Sequence, residues 1–345
     1  MWRLIFLSWL VSPPTSHPQL SFRFVSPRTV SPQLKRFHFT ENKMGSPFNL
    51  IFYCDDSLRA VQLSKECFTI VDSLNAIFSD YMEESEINRL SKQPASKKVK
   101  VSAELFSMIT QSRRAWINSG GTFDITVGAL TRLWRKAKKE KRFPEIEEIK
   151  QAKKTTGFEK LVIDSHSNSV SFTLKGIELD FGGIVKGYAA QKMIDHLKSK
   201  SISMALADAG GDIAMGDAPP GKQGWTISIN LPEQGLDVWD KKLELKNCAV
   251  ATSGDIYNYT LHNGKKYSHI IDPQMGYGVT SQRNVTVIAK DGATADWLAT
   301  ACSILPIKKA LALMKKESAA LLIATIENEK IRIYKTEKFD SYFMR

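Results

Sequence analysis

The sequence predicts an α+β fold with mixed, largely antiparallel sheets and flanking helices. Hairpin-like pairs recur along the chain. "KLVIDSHSNSVSFTL" (160–174) turns at His-Ser-Asn, and "YNYTLHNGKKYSHIID" (257–272) turns at Asn263-Gly264, a pair suited to a tight turn. "AALLIATIENEKIRIYKTEKF" (319–339) supplies a last hairpin. Segments of helical period are interspersed with these hairpins and do not alternate one-for-one with strands, which argues against a doubly wound parallel sheet.

The remaining elements follow in order. "PFNLIFY" (47–53) reads as a strand. "SKECFTIVDSLNAIFSDY" places Cys67, Ile70, Val71, Leu74 and Ile77 or Phe78 at helical spacing. "SEINRLSKQP" reads as a turn-rich link. A second amphipathic helix is predicted over 102–121, with Ser102 as N-cap and Gly120-Gly121 as the stop. "TFDITVGALTRLW" follows, and the charged block after it reads as helix and loop. "GIELDFGG" is predicted as a strand entering the helix "IVKGYAAQKMIDHL". "SISMALADAGGDIAMG", "GWTISINL", "NCAVATSG" and "NVTVIAK" read as strands, and "GATADWLATACSIL" as a helix closed by Pro306. No internal repeat is evident.

With 345 residues and 43% hydrophobic content the chain can bury a large core, as one large domain or two ordinary ones. The net charge of +12 is concentrated. The first forty residues hold Arg3, Arg23, Arg28, Lys35 and Arg36 and no acid, and "RLWRKAKKEKR" (132–142) sets only Glu140 against its cations. No aromatic residues alternate with those cations as on a base-stacking surface, and no zinc-finger spacing occurs, so nucleic acid is not expected as a partner. The block at 132–142 reads as a solvated helix face or loop. Cys54, Cys67, Cys248 and Cys302 form no CxxC pair and no disulfide framework.

"WRLIFLSWLV" is too short to span a bilayer, and "SPPTSHPQL" after it lacks a small-x-small cleavage site. Residues 1–43 are expected to be disordered or signal-like, with a single domain over 44–345.

Chemistry concentrates at "LDFGGIVKGYAAQKMIDHL" (179–197), where an acid, two glycines and a lysine stand between an apolar run and a helix. The segment matches neither G-x-G-x-x-G nor a P-loop. Its glycines would still let a ligand approach the backbone, and the helix start offers amides to a phosphate. The bland alternative is a tight turn with an exposed lysine. Asp296 and Thr300 lie four apart on a predicted helix, so they share a face. Alone, Asp296 reads as a first-turn acid favoured by the helix dipole, and Thr300 as a packed small residue. Tyr81 taken alone reads as core, and His269 as a hydrogen-bonded strand residue.

Read together, "MGSPFNL", "YMEESEINRL", "GGTFDITVGALTRLW", "LDFGGIVKGYAA", "ALADAGGDI", "AVATSGDIYNY", "YSHIIDP" and "ATADWLATAC" occur in an order that resembles the ApbE family of FAD:protein FMN transferases, over roughly Met44 to Leu322. The resemblance implies an ApbE-like fold with the FAD and magnesium site between lobes. It implies a magnesium-dependent enzyme that splits FAD at the pyrophosphate, attaches FMN through its phosphate to a threonine or serine of an acceptor flavoprotein subunit, and releases AMP. Acceptors in the family include subunits of membrane redox complexes.

Carried onto this chain, the resemblance assigns Met44, Tyr81, Phe123, Asp124, Asp180, Lys186 and Ile271 to FAD. It assigns the Gly183 carbonyl, Asp296 and Thr300 to magnesium. These are the hard oxygen donors that magnesium takes, with phosphate oxygens and water completing the octahedron. It sets His269 at the ligand, as the side chain best suited to deprotonating the acceptor hydroxyl. Ser46 stands where the family carries threonine after Met-Gly. Asp208 and Asp212 flank the second Gly-Gly, where they would approach the adenosine half of FAD, and Ser253-Gly254-Asp255 matches the family's Ser-Gly-Asp; all of these read equally as turn residues.

A magnesium-dependent FAD pyrophosphatase with water as acceptor would use the same ligands, and a non-catalytic FAD-binding protein is the third reading. Many family members are exported lipoproteins, but this N-terminus lacks a Leu-x-x-Cys lipobox. Export to the periplasmic face of the inner membrane and a cytoplasmic form starting near Met44 both stay open. The acceptor's identity and the oligomeric state are not encoded in any motif.

Overall fold

The computed structural model describes residues 33–229, 241–254, 259–327 and 330–344. Its centre is an eight-stranded sheet in which every neighbouring pair is antiparallel, in the order β1-β2-β6-β7-β10-β13-β14-β15. These strands are β1 (Lys35–Lys43), β2 (Ser46–Cys54), β6 (Ala205–Ala209), β7 (Ile213–Met215), β10 (Ala249–Gly254), β13 (Arg283–Ala289), β14 (Ala320–Glu327) and β15 (Lys330–Lys335). Smaller sheets join β3 (Val99–Lys100), β4 (Leu161–Asp164) and β5 (Ser169–Phe172), β8 (Trp225–Ser228) with β9 (Lys242–Leu245), and β11 (Tyr259–His262) with β12 (Lys265–Ser268). The helices are α1 (Ser57–Phe78), α2 (Glu86–Ser91), α3 (Ala103–Ser119), α4 (Gly128–Lys139), α5 (Ile146–Lys154), α6 (Val185–Ser199), α7 (Gly292–Ile304), α8 (Ile307–Glu317) and α9 (Glu337–Asp340). Among the described residues no helix is long and apolar enough to cross a membrane.

Alternation along the strands sorts side chains between two cores. Phe48, Leu50, Phe52 and Cys54 of β2 face the core that also holds buried residues of α1, α3, α6 and α7, whereas Ile51 and Tyr53 face the opposite side. There Trp225, Leu243, Leu245 and Phe339 cover the sheet. A central strand covered on both faces buries nearly all of its side chains, as β13 does with six of its seven residues, Asn284 and Thr286 among them. A third, smaller cluster joins Leu130, Trp134, Ile149 and Ile271.

Several expectations are met in detail. The Ser102 hydroxyl accepts from the Leu105 amide at 3.2 Å, and Gly120 closes α3 with φ 65°. Asn263 and Gly264 have φ of 47° and 75°, a two-residue hairpin turn.

Others are corrected. Among the described residues, regular structure begins at Lys35, ahead of Met44. Residues 35–43, expected without regular structure, form edge strand β1 in register with β2, and Phe37 and Phe39 pack on the main core. Met44 and Gly45 make the β1–β2 turn, at φ 48° and 75°. "SEINRLSKQP" contains α2, started by the Ser85 hydroxyl accepting from the Asn88 amide. "GIELDFGG" lies in no sheet. Its backbone bonds instead to the start of α4, with the Gly128 amide donating to Glu178 O at 3.1 Å and the Asp180 amide to Ile125 O at 2.8 Å. The segment before Gln33 and Asp255 of the Ser-Gly-Asp match lie outside the described residues.

Helices α6 and α7 cross at their glycines. A methyl group added at Gly187 would lie 2.1 Å from the Gly292 carbonyl oxygen, and one added at Gly292 would lie 1.9 Å from the Gly187 carbonyl oxygen. No side chain fits, so the two backbones touch. Gly187→Ala is therefore expected to cost about 2–3 kcal/mol. Gly254→Ala, whose added methyl would meet Asn284 at an ordinary 3.7 Å, should cost less than about 1 kcal/mol. Urea unfolding of the two variants beside the parent checks the contrast.

Candidate functional site

The crossing of α6 and α7 delivers Asp296 to the start of α6. Its Oδ2 accepts from the Gly187 amide at 3.0 Å, in a carboxyl that is 5% exposed. Helix α6 has no side-chain cap of its own at Ile184. A buried carboxylate from the neighbouring helix takes amides that the sequence would have offered to a phosphate. Burial pushes the Asp296 pKa up to about 7, against the pull of the Gly187 amide and of Lys186. Asp212, after the β6–β7 turn, is pushed well above the usual carboxylate range by burial, then by the charge of Asp296, with Lys186 opposing. Two acids thus share one lysine.

Thr300 lies one turn after Asp296 on α7. A methyl at Gly183 would sit 2.7 Å from its hydroxyl oxygen, so the Gly183 backbone and the Thr300 side chain are in contact. Across the site, a methyl at Gly210 would lie 2.7 Å from Ser46 Oγ and 3.8 Å from Lys186 Nζ. Ser46 Oγ is buried without a hydrogen-bond partner, an arrangement that calls for an explanation. The structure therefore places Gly183, Lys186, Asp296 and Thr300 close together, with Ser46 and Asp212 beside them. Among the described residues no three His, Cys, Asp or Glu side chains cluster as metal ligands. A cation here would depend on one carboxylate completed by a hydroxyl and a carbonyl. As hard oxygens beside a surplus of acid, these residues fit magnesium.

Asp180 builds the turn itself. Its Oδ1 accepts from the Gly182 amide at 2.7 Å, and its Oδ2 from the Thr131 hydroxyl at 2.7 Å. Thr131 and Arg135 are four apart on α4 and share a face. Arg135 is ion-paired to Asp80 and lies over the ring of Tyr81. Tyr81 is not core; it is 79% exposed. The block 132–142 is likewise not simply a solvated face. Arg132 pairs with Glu178 at 3.1 Å, and Arg142 with Glu148 at 2.6 Å and Glu140 at 2.7 Å.

The other face of α4 holds the loop after β12. Trp134 Nε1 donates to Gly276 O at 3.0 Å, and Trp134 and Leu130 pack with buried Ile271. His269 is exposed on this loop. Asp272 accepts from the amides of Gln274 at 2.8 Å and Met275 at 3.2 Å, a turn-forming role. Gln274 Nε2 in turn donates to Gly120 O at 2.8 Å, and an open cleft there is lined by Trp116, Gly121, Asp124 and Gln274.

Asp124 is buried and accepts from the Thr126 amide (2.8 Å), the Thr126 hydroxyl (2.7 Å) and the Phe158 amide (3.0 Å). Burial raises its pKa, and those bonds pull it down. Phe123 is in the main core, 6.1 Å from Trp297. Met44 is half-buried against that core. Asp208 accepts from the Gly211 amide at 2.7 Å and from Asn49 Nδ2 at 3.3 Å. Sequence reasoning missed Asp80, Thr131 and Arg135; the four-residue spacing of the last two on a helix was the available signal.

The sign of the pH effect follows from Asp296. Its folded pKa is raised, so between about pH 4 and 7 the folded chain holds a proton that the unfolded chain has lost, and stability falls as pH rises. With a chelator present, the parent should lose on the order of 3 kcal/mol more than Asp296→Asn between those limits. Urea midpoints at the two pH values measure the difference.

Comparison with known proteins gives consistent matches. The ApbE family model matches residues 44–323. The FAD:protein FMN transferase of Vibrio cholerae is 26% identical over 315 residues, covering 90% of this chain and 94% of its own. That of Chlamydia muridarum is 30% identical over 267 residues, covering 76% and 82%. The crystal structure of Pseudomonas stutzeri flavinyl transferase ApbE in its apo form superposes with a TM-score of 0.81 at 30% identity, over 90% of this chain and 98% of that one.

Proposed function

The chain belongs to the ApbE family, and from that premise we propose that it is a magnesium-dependent FAD:protein FMN transferase. It moves FMN from FAD to a threonine or serine hydroxyl of an acceptor flavoprotein subunit and releases AMP. The observation that carries this reading is the assembly at the α6–α7 crossing. Asp296, Thr300 and the Gly183 backbone meet beside Lys186, a set of oxygens and one cation suited to a pyrophosphate.

Asp296, Thr300 and the Gly183 carbonyl would hold the magnesium ion. Bound there, the ion supplies charge neutralisation for the pyrophosphate oxygens, the main demand of phosphoryl transfer. Lys186, in the first turn of α6, adds a second positive charge from the protein itself. The unpartnered Ser46 hydroxyl beside it can donate to a phosphate oxygen. Asp180 keeps the glycine turn in shape through Gly182 and Thr131, so the backbone is fixed before substrate arrives.

The acceptor oxygen forms a bond to the FMN phosphorus while the bridging P–O bond to the AMP phosphate breaks. The electron pair leaves with AMP. His269 takes the hydroxyl proton in this scheme, consistent with its exposed position on the loop that follows β12. Tyr81 offers an exposed ring on which a heterocycle of FAD can stack.

The test is to incubate the chain with FAD, magnesium and a threonine-bearing flavoprotein subunit, and to read flavin fluorescence on the acceptor in a denaturing gel while assaying AMP. The expected result is a fluorescent band, with a mass gain matching FMN and AMP in equal amount. Asp296→Ala should lower the rate about a hundredfold or more. AMP and free FMN without a labelled acceptor would instead support hydrolysis, and full magnesium-dependent activity in Asp296→Ala would remove the metal assignment.

A further inference from the structure

The surroundings of Tyr81 contain an arrangement that no motif match assigns. An exposed tyrosine normally gives up rotamer freedom when a ligand stacks on it. Here the ring is already held. The Arg135 guanidinium carbon lies 4.5 Å from the ring centroid, well within cation–π range. Arg135 is ion-paired in turn to Asp80, whose side chain is 11% exposed. Burial and the nearby charge of Asp180 raise the Asp80 pKa, and Arg135 opposes both. The loop backbone is fixed separately, because Asn88 Nδ2 donates to the carbonyls of Ser79, Asp80 and Met82 at 3.3, 3.2 and 2.8 Å. Helix α2 thus secures the loop, and helix α4 secures the ring.

We propose that Arg135 is a positioning residue for FAD, backing one face of Tyr81 so that a planar heterocycle of the dinucleotide stacks on the other. The inference rests on the reading of Tyr81 as a stacking platform. Three features favour it over an incidental surface contact. The guanidinium is oriented by a partly buried acid. The ring it backs remains 79% exposed, so most of its surface is available. And the same face of α4 carries Thr131, which holds Asp180 of the glycine turn. One helix face therefore sets the ring and the turn relative to each other, as a ligand contacting both would require. A cation behind the ring also draws its π-density away from the free face, which favours an electron-rich heterocycle there.

The experiment measures FAD affinity by flavin fluorescence quenching, with KM and kcat for transfer, in Arg135→Ala and Arg135→Lys. Each is made in the parent and in Tyr81→Ala, after melting curves establish that the variants fold. If Arg135→Ala does not fold, Arg135→Gln, which keeps a planar polar head without the charge, replaces it. Arg135→Ala in the parent should weaken FAD binding and raise KM about five- to tenfold, with kcat changed less than about twofold. Arg135→Lys should restore at least half of that loss, and in the Tyr81→Ala background Arg135→Ala should have little effect.

Equal losses in both backgrounds would overturn the proposal, since Arg135 would then act without the ring. Tighter binding by Arg135→Ala would also overturn it, by making the guanidinium a competitor for the stacking face. So would unchanged FAD affinity in Tyr81→Ala alone. Failure of the parent to bind FAD at all is a distinct result that removes the functional reading itself.

Discussion

Backbone contact between α6 and α7 at Gly187 and Gly292 is the constraint on which the site depends. Each glycine occupies space into which the other's carbonyl projects. Only at that separation can the Asp296 carboxylate reach the Gly187 amide at 3.0 Å and Thr300 lie against Gly183. A helix buried all round, as α7 is from Gly292 to Ala299, is normally packed by large apolar side chains. This one brings a carboxylate and a hydroxyl into the interior, and the close approach gives that carboxylate an amide partner. The cost of burying it appears as the raised pKa of Asp296.

Helix α4 extends this local geometry across the molecule. Thr131 and Arg135 on one face hold the glycine turn and the Tyr81 loop, and Leu130 and Trp134 on the other hold the loop that carries Ile271 and His269. Residues that are far apart in sequence are set against one rigid element. Sites supported in this way keep their geometry better than sites built from loops alone. The basic character of α4 and the segment after it is also explained in part, because Arg132 and Arg135 on the helix and Arg142 beyond it are paired with acids.

Much of the fold was legible because periodicity reports burial. Ile177, Leu179 and Phe181 alternate in "GIELDFGG", and all three are buried, as a strand pattern requires. Periodicity does not report hydrogen-bond partners, however, and this segment bonds to the start of α4 in place of a strand. Strand β1 escaped notice because an edge strand buries little, and its alternation rests on Phe37 and Phe39 alone. The Met44-Gly45 turn offered only Gly45 as a signal, because methionine rarely takes the positive φ that Met44 adopts. In the site, the spacing of Asp296 and Thr300 was readable, but their meeting with Gly183 depends on a helix crossing that no local pattern encodes. Arg135 was obscured by its charged neighbours, since a run of like charges does not reveal which member has a buried partner.

The dependence of the site on the helix crossing is tested most directly by magnesium affinity in Gly292→Ala. Magnesium-dependent FAD binding would be titrated by calorimetry at a temperature where the variant is folded by circular dichroism. Asp296 and Thr300 are untouched by the substitution, so only their placement against α6 changes. The expected result is a loss of magnesium affinity of about tenfold or more in a folded protein. Magnesium affinity equal to the parent's would contradict the account, because the ligands would then assemble without the contact that is held to assemble them.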